Sequence, residues 1–335
     1  MKTSVISQSM LSTQLSLPII EASSVGRIAY SRLRRQREGI IQGVYRTAIN
    51  ILFDGELVSL VSEEVQRGPL NITLKLPCGL LNLSSFGVKA GDKVRIDDFA
   101  LKLGERNIVS FGSASVYSPN QRFKDSILAN NEIEANVEVM RGTAIHFGKM
   151  AGLGELLSAI TPEKAGDKVR NLNIFSSFAF PRIVRLEHAF QSEKESALKN
   201  AVRELIGFGP GLTPSSDDML AGLVLVCVLY AKNCERAKCV SKLIAQAILK
   251  EVQGRTTLLS EEYLKQASSG RGNEPVMRLC AALLTEGPQA VERATMGALE
   301  IGETSGTDII LGIVIGAMLC IGKQSFLAQR NFNEH

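Results

Sequence analysis

Gly209-Pro210-Gly211-Leu212-Thr213-Pro214-Ser215-Ser216-Asp217-Asp218-Met219-Leu220-Ala221-Gly222 is the most unusual stretch of this 335-residue chain. With Gly207 and Phe208 before it, the segment packs glycine and proline into a loop of fixed shape, and the loop runs straight into a helix. A second stretch repeats its grammar. Ser305-Gly306-Thr307-Asp308-Ile309-Ile310-Leu311-Gly312 is again S-x-x-D, two apolar residues, a spacer and glycine, followed by an apolar helix. Glycine inside a helix costs about 1 kcal/mol relative to alanine. The matched register of Gly222 and Gly312 therefore predicts two helices that cross closely at those positions.

Outward from these motifs the chain divides by texture. Gly43–Phe53, Leu57–Val61, Leu70–Leu76, Lys93–Ile96, Ala100–Leu103 and Ile108–Val116 are short runs of β-formers. Asp54-Gly55, Gly68-Pro69, Pro77-Cys78-Gly79, Gly91-Asp92 and Gly104 separate them. Asp54-Gly55 between two apolar runs reads as a hairpin turn. Phe123–Val139, Gly152–Ile160 and Glu193–Ile206 read as helices, and beyond Gly211 nearly everything does. The expected fold class is α+β: a small N-terminal β-barrel or sandwich-like domain (40–118) behind an N-terminal extension (1–39), then a mainly α-helical domain (119–335).

Composition excludes several functions. Aromatic residues are 5% and tryptophan is absent, so no stacking platform for nucleic acid is expected. A net charge of +4 does not call for a polyanion, and Arg27, Arg32, Arg34, Arg35 and Arg37 read as a solvated helix face. The six cysteines form no CxxC pair, which fits a reducing compartment and a cytoplasmic protein. No signal peptide is read. The longest apolar runs, Met219–Tyr230 and Ile309–Ile321, fall short of the roughly 20 residues of a membrane span. Histidines are only His146, His188 and His335, none at metal-ligand spacing, and there is no P-loop or dinucleotide fingerprint. The chemical inventory is carboxylates, hydroxyls and backbone N–H groups, which suits group transfer.

Two readings of the loop–helix motif stand side by side. Ser215 and Asp218 fit a capping box, and acids in a first turn favour the helix dipole without any function. Alternatively, the helix N-terminus and the glycine loop make an anion site for phosphate or a small carboxylate. In that reading the two helix N-termini face one cavity lined by Asp217, Asp218, Ser305 and Asp308. Asp217→Asn then abolishes binding and leaves the fold intact. Asp217 and Asp218 are also where Mg²⁺ would sit if a cation offsets their charge; no other cofactor is expected. Thr256, Thr257 and Ser260, with Ser269-Gly270-Arg271-Gly272-Asn273-Glu274 further on, form a third polar cluster; its hydroxyls read equally as a helix cap or as ligand groups, and Arg255 as an anion clamp or a surface residue.

Gly209-Pro210-Gly211-Leu212-Thr213-Pro214-Ser215-Ser216-Asp217-Asp218, with Leu220 and Gly222, closely resembles the G-P-G-L-T-P-S-G-D-D-x-L-x-G hallmark of the AllH-like family. Ser305-Gly306-Thr307-Asp308 with Gly312 resembles that family's second element, and Thr256-Thr257 with Ser260 its middle T-T-x-x-S. The resemblance spans residues 40 to 322. Ser216 departs from it, standing where the family usually has glycine. The resemblance implies a subunit of the catabolic oxamate carbamoyltransferase of allantoin degradation, which converts oxamate and carbamoyl phosphate to oxalurate and phosphate. It implies other protein subunits as partners and no nucleic acid or membrane. Together with the reading of the loop–helix motifs, Asp217, Asp218 and Asp308 are the catalytic candidates, and Gly209, Gly211, Thr213, Ser215, Ser216, Thr256, Thr257, Ser260, Ser305 and Gly306 the substrate-binding ones. The alternatives are a non-catalytic assembly subunit and a carboxylase-like enzyme acting on another small substrate.

Overall fold

A computed structural model describes residues 19–76, 82–105, 107–119, 126–159, 172–232 and 234–323. The N-terminal extension up to residue 18, Pro77-Cys78-Gly79, Phe123, Ile160 and His335 lie outside them. No helix among the described residues is long and apolar enough to cross a membrane.

The first part is an eight-stranded barrel. Its strands are β1 (Ile19–Gly26), β2 (Glu38–Val44), β3 (Ala48–Phe53), β4 (Glu56–Ser62), β5 (Asn71–Leu74), β6 (Lys93–Asp97), β7 (Ala100–Leu103) and β8 (Asn107–Ser110). They run in the order β5-β4-β3-β2-β6-β7-β8-β1, and β1 closes back onto β5. A short β9 (Ser115–Tyr117) continues along β1 where β8 leaves it. Alternate residues point inward, so Ile41, Ile51, Phe53, Leu60, Ile72 and Leu101 fill the barrel. The turn at Asp54 (φ 51°) and Gly55 (φ 78°) is left-handed at both positions, as a two-residue hairpin requires.

Three sequence expectations change. Residues 19–39 are not outside the barrel, because β1 supplies the strand that closes it and α1 (Arg27–Leu33) packs beside it. The run 43–53 is two strands, broken at a turn where Tyr45 N–H donates to the Ala48 carbonyl (2.8 Å). The run 108–116 is likewise β8 and β9, with Gly112 in the break.

The second part is helical. Its members are α2 (Asn130–Phe147), α3 (Glu155–Ala159), α4 (Ile174–Ser192), α5 (Glu195–Arg203), α6 (Ser215–Tyr230), α7 (Glu235–Glu251), α8 (Leu258–Ala267), α9 (Glu274–Thr285), α10 (Pro288–Leu299) and α11 (Ser305–Cys320). Pro181 inside α4 hides that helix from a periodicity reading; the Asn173 side chain starts it by accepting from Ser176 N–H (2.8 Å).

At the centre α6 and α11 run side by side in the same direction and are almost wholly buried. The predicted glycine crossing is there. A Cβ on Gly222 would lie 2.1 Å from the Ile309 carbonyl oxygen, and one on Gly312 would lie 1.9 Å from that of Met219. Gly316 extends the seam against Leu223. The glycines thus let two backbones touch.

The barrel docks on the helices through polar pairs. Arg32 is buried, not solvated as expected, and meets Glu262 at 2.6 Å. Arg67 pairs with Glu274 (2.7 Å), and the Tyr117 hydroxyl donates to the Gly272 carbonyl (3.0 Å). The buried Arg32–Glu262 pair fixes geometry more than it adds stability, while the Arg67–Glu274 pair is partly exposed.

Alanine at an ordinary helix glycine stabilises by about 1 kcal/mol. Here the sign reverses: Gly222→Ala and Gly312→Ala each are expected to destabilise by roughly 1–3 kcal/mol, because backbone must move. Urea denaturation measures this, and a gain in stability for either variant contradicts the crossing.

Candidate functional site

The two repeated motifs share one frame. Pro214 and Thr304 are the N-cap residues, Ser215 and Ser305 the first helical residues, Asp218 and Asp308 the fourth. Residues three apart share a helix face, whereas a neighbour in sequence is turned by about 100°. Because the helices cross at Gly222 and Gly312, this inward face of each first turn meets that of the other. The Ser305 hydroxyl stands beside the Asp218 carboxyl, and the Ser215 hydroxyl beside that of Asp308. The arrangement is reciprocal. Thr213 joins it, its hydroxyl 3.1 Å from Asp218 Oδ2 and 3.2 Å from Ser305 Oγ.

The third helical residues point elsewhere and anchor loops. Asp217 Oδ1 accepts from Gly207 N–H (2.8 Å), and Oδ2 accepts from the hydroxyls of Ser260 (2.7 Å) and Thr256. Thr307 plays the matching part in α11, accepting from Lys149 N–H (3.0 Å). The structure therefore brings Asp218, Ser305, Thr213, Ser215 and Asp308 together and leaves Asp217 outside that group.

Burial governs the acidities. It raises Asp217, against the opposing hydrogen bonds of Thr256, Gly207 and Ser260. It raises Asp218 well above the usual carboxylate range; the Ser305 and Thr213 hydroxyls oppose this, and the charges of Asp308 and Asp217 add to it. Asp308 is pushed up to about 6 by burial, opposed by the Leu153 N–H bond and the Ser215 and Thr304 hydroxyls. Leu153 N–H donates to Asp308 Oδ1 at 2.7 Å, while Oδ2 is buried without a well-formed hydrogen bond. Burial thus makes both inward carboxyls weaker acids, and their carboxylates stronger bases, than exposed ones.

The remaining expected residues bond or pack chiefly within the protein. Gly209 (φ 125°) and Gly211 (φ 92°) shape the loop, and a Cβ on Gly209 would press on Ser215 N. The Ser216 hydroxyl lies among the Leu205 carbonyl and the Phe208 carbonyl and N–H, facing away from Asp218. Thr257 caps α8 by accepting from Ser260 N–H (3.1 Å), and its hydroxyl donates to the Leu212 carbonyl. Gly306 lies against the Ala298 carbonyl.

Three expectations are corrected. The capping box is not formed: Pro214, not Ser215, is the N-cap residue, and it makes no side-chain cap. The N–H groups of an anion trap are largely engaged, Ser216 N–H with Phe208 O, Asp217 and Asp218 N–H with Pro214 O, and Gly306 N–H with Ile301 O. Asp217 and Asp218 do not converge on a Mg²⁺ position, because their oxygens face different sets of hydroxyl donors. Among the described residues no group of three or more His, Cys, Asp or Glu side chains is placed to hold a metal. Arg255 is exposed and pairs with Glu251.

Asp218 opens onto a small cavity of roughly 50 Å³ where the barrel meets the helices; neither Asp217 nor Asp308 lines it. Pro69 closes it from the barrel side, and Tyr263, Arg271 and Asn273 bring polar groups. The Tyr263 phenol is pushed up to about 12 by burial and by the Asp218 charge, with the Asn273 side chain opposing. Nothing in the sequence singles out Tyr263; Arg271 and Asn273 stand in the third polar cluster with no role assigned. Their one local signal is the Ser269-Gly270-Arg271-Gly272-Asn273 turn.

Two family models match the chain. Residues 21–116 match the AllH family N-terminal domain, and residues 205–317 match the oxamate carbamoyltransferase subunit AllH. The matches coincide with the barrel and with the span from the loop before α6 to α11. No solved structure matches the chain.

Two outcomes follow from the geometry. Asp217→Asn is expected to destabilise by about 1–3 kcal/mol, since an amide cannot replace a carboxylate that accepts three bonds; this reverses the expectation of an intact fold. Unchanged urea denaturation would contradict it. For Asp308 the folded value near 6 lies above the usual 3.8. The unfolded chain therefore ionises first as pH rises, and stability falls between about pH 4 and 6, by on the order of 3 kcal/mol, then levels off. The stability of Asp308→Asn relative to the parent should rise by that amount between pH 4 and 7. A pH-independent difference would show that Asp308 ionises normally.

Proposed function

The chain belongs to the AllH family, and on that premise we propose that it is the carbamoyltransferase subunit that holds the small acceptor, oxamate or oxalurate, against Asp218. The single observation that carries this reading is that Asp218, alone of the three buried aspartates, lines the cavity between barrel and helices. Thr213 and Ser305 hold its carboxyl in place.

The reaction requires the oxamate nitrogen to attack the carbamoyl carbon of carbamoyl phosphate. An N–C bond forms, the bond from carbon to the phosphate oxygen breaks, phosphate leaves, and the nitrogen loses a proton. Asp218 accepts that proton in this mechanism. Burial makes the Asp218 carboxylate, once ionised, a stronger base than an exposed one. Asp308 and Asp217 act at one remove: Asp308 through its charge and the shared hydroxyl cluster, Asp217 by fixing the loop that carries Thr213. Exclusion of water by the barrel favours transfer to the acceptor over hydrolysis. As a subunit, the chain works with other protein chains, which complete the site for carbamoyl phosphate.

Activity of the assembled enzyme with Asp218→Asn tests the mechanism. The expected loss in kcat is roughly 10²-fold or more, with the fold retained by circular dichroism. Full activity of this variant would instead favour the assembly-subunit reading, in which the aspartate cluster serves only helix packing.

A further inference from the structure

Arg271 sits in the turn after α8 with glycine on either side, and Gly270 is left-handed (φ 72°). Its backbone N–H donates to the Gln266 carbonyl (3.0 Å) and its Nε to Gln266 Oε1 (2.7 Å). Those bonds fix the stem and the plane of the guanidinium. The two terminal nitrogens make no hydrogen bond or ion pair with any described residue. Other sheltered arginines differ: the buried Arg32 faces Glu262, and the part-buried Arg278 faces Glu286. Burial, and secondarily the nearby charge of Arg32, disfavour the cationic form of Arg271. A half-buried cation of this kind is unfavourable until an anion joins it.

The cavity supplies the rest of a ligand site. Arg271 and Asp218 both line it, with Tyr263 and Asn273 between apolar walls that include Leu225 and Val276. A guanidinium offers a planar N–H fork that matches a carboxylate. We propose that Arg271 is the specificity-determining residue, taking the carboxylate of a short amide-acid acceptor while the acceptor's amide end lies at Asp218. A carboxylate fits better than the phosphate of the carbamoyl donor. One guanidinium neutralises one charge, and apolar walls leave a phosphate dianion under-compensated. The inference rests on the Asp218 reading above and adds the seat of the acceptor's charge.

Isothermal titration calorimetry on the full-length chain tests it with three probes: oxamate, its neutral analogue oxamide, and inorganic phosphate. The parent chain is expected to bind oxamate roughly tenfold or more tighter than oxamide. Arg271→Met should erase that preference without weakening oxamide. Equal oxamate affinity in Arg271→Met and the parent overturns the assignment, as does a loss confined to phosphate. If Arg271→Met does not fold, Arg271→Lys decides: it keeps the charge and loses the fork, and an undiminished preference for oxamate overturns the proposal. Asp218→Asn should keep the oxamate preference while losing turnover, which separates failure of the clamp from failure of the proton acceptor. A parent chain that binds no oxamate overturns both.

Discussion

Backbone contact between α6 and α11 is the constraint on which the structure depends. Gly222 and Gly312 each lie against a main-chain carbonyl of the other helix, so neither position has room for a side chain. Two parallel helices that close place their positive dipole ends together, which is unfavourable unless negative groups are near. The acids of the two first turns meet that need and are buried by the same crossing. Raised pKa values, shared hydroxyls and the pairing of Ser305 with Asp218 all follow from the glycine seam.

The barrel contributes a wall. Its strands enclose their own core, separate from the helical one, so its influence on the site passes through the interface. Arg32 and Arg67 fix the docking, and Pro69 then covers the face of α6 that carries Asp218 and Gly222. Without that cover Asp218 would face solvent, and the desolvation that raises it would be lost.

Much of this was legible in the sequence because it is local. The Asp54-Gly55 hairpin, the change from strand to helix texture and the repeated S-x-x-D…G pattern each lie within a dozen residues. The pairing of the two repeats was legible too, since glycine at one register of two apolar helices weakens both unless the helices touch there. The division of labour between Asp217 and Asp218 was not. The two are adjacent, and only the direction of the partner helix decides which faces the cavity. Nor was the role of β1, whose pairing with β5 joins residues some fifty apart. Tyr263 was hidden, and Arg271, though part of a noted polar cluster, had no role, for the same reason: a turn after α8 gains meaning only when the barrel arrives opposite it. Ser216 showed a departure from the family pattern, and its hydroxyl faces the end of α5, away from the Asp218 cluster.

The near-twofold relation between the first turns of α6 and α11 has a consequence for stoichiometry. By symmetry the pair offers two equivalent carboxyls, yet the surroundings differ. At Asp308 the chain's own loop has moved in: Gly152 lies against the carboxyl and Leu153 gives it a main-chain N–H. At Asp218 the corresponding space is the cavity under the barrel. One half of the pair is stoppered by a peptide group, itself an amide donor, and the other is open to a solute. The protein thus presents one reachable carboxyl per chain from a motif it carries twice, and the stoppered half displays the kind of group, an amide N–H, that such a carboxyl accepts.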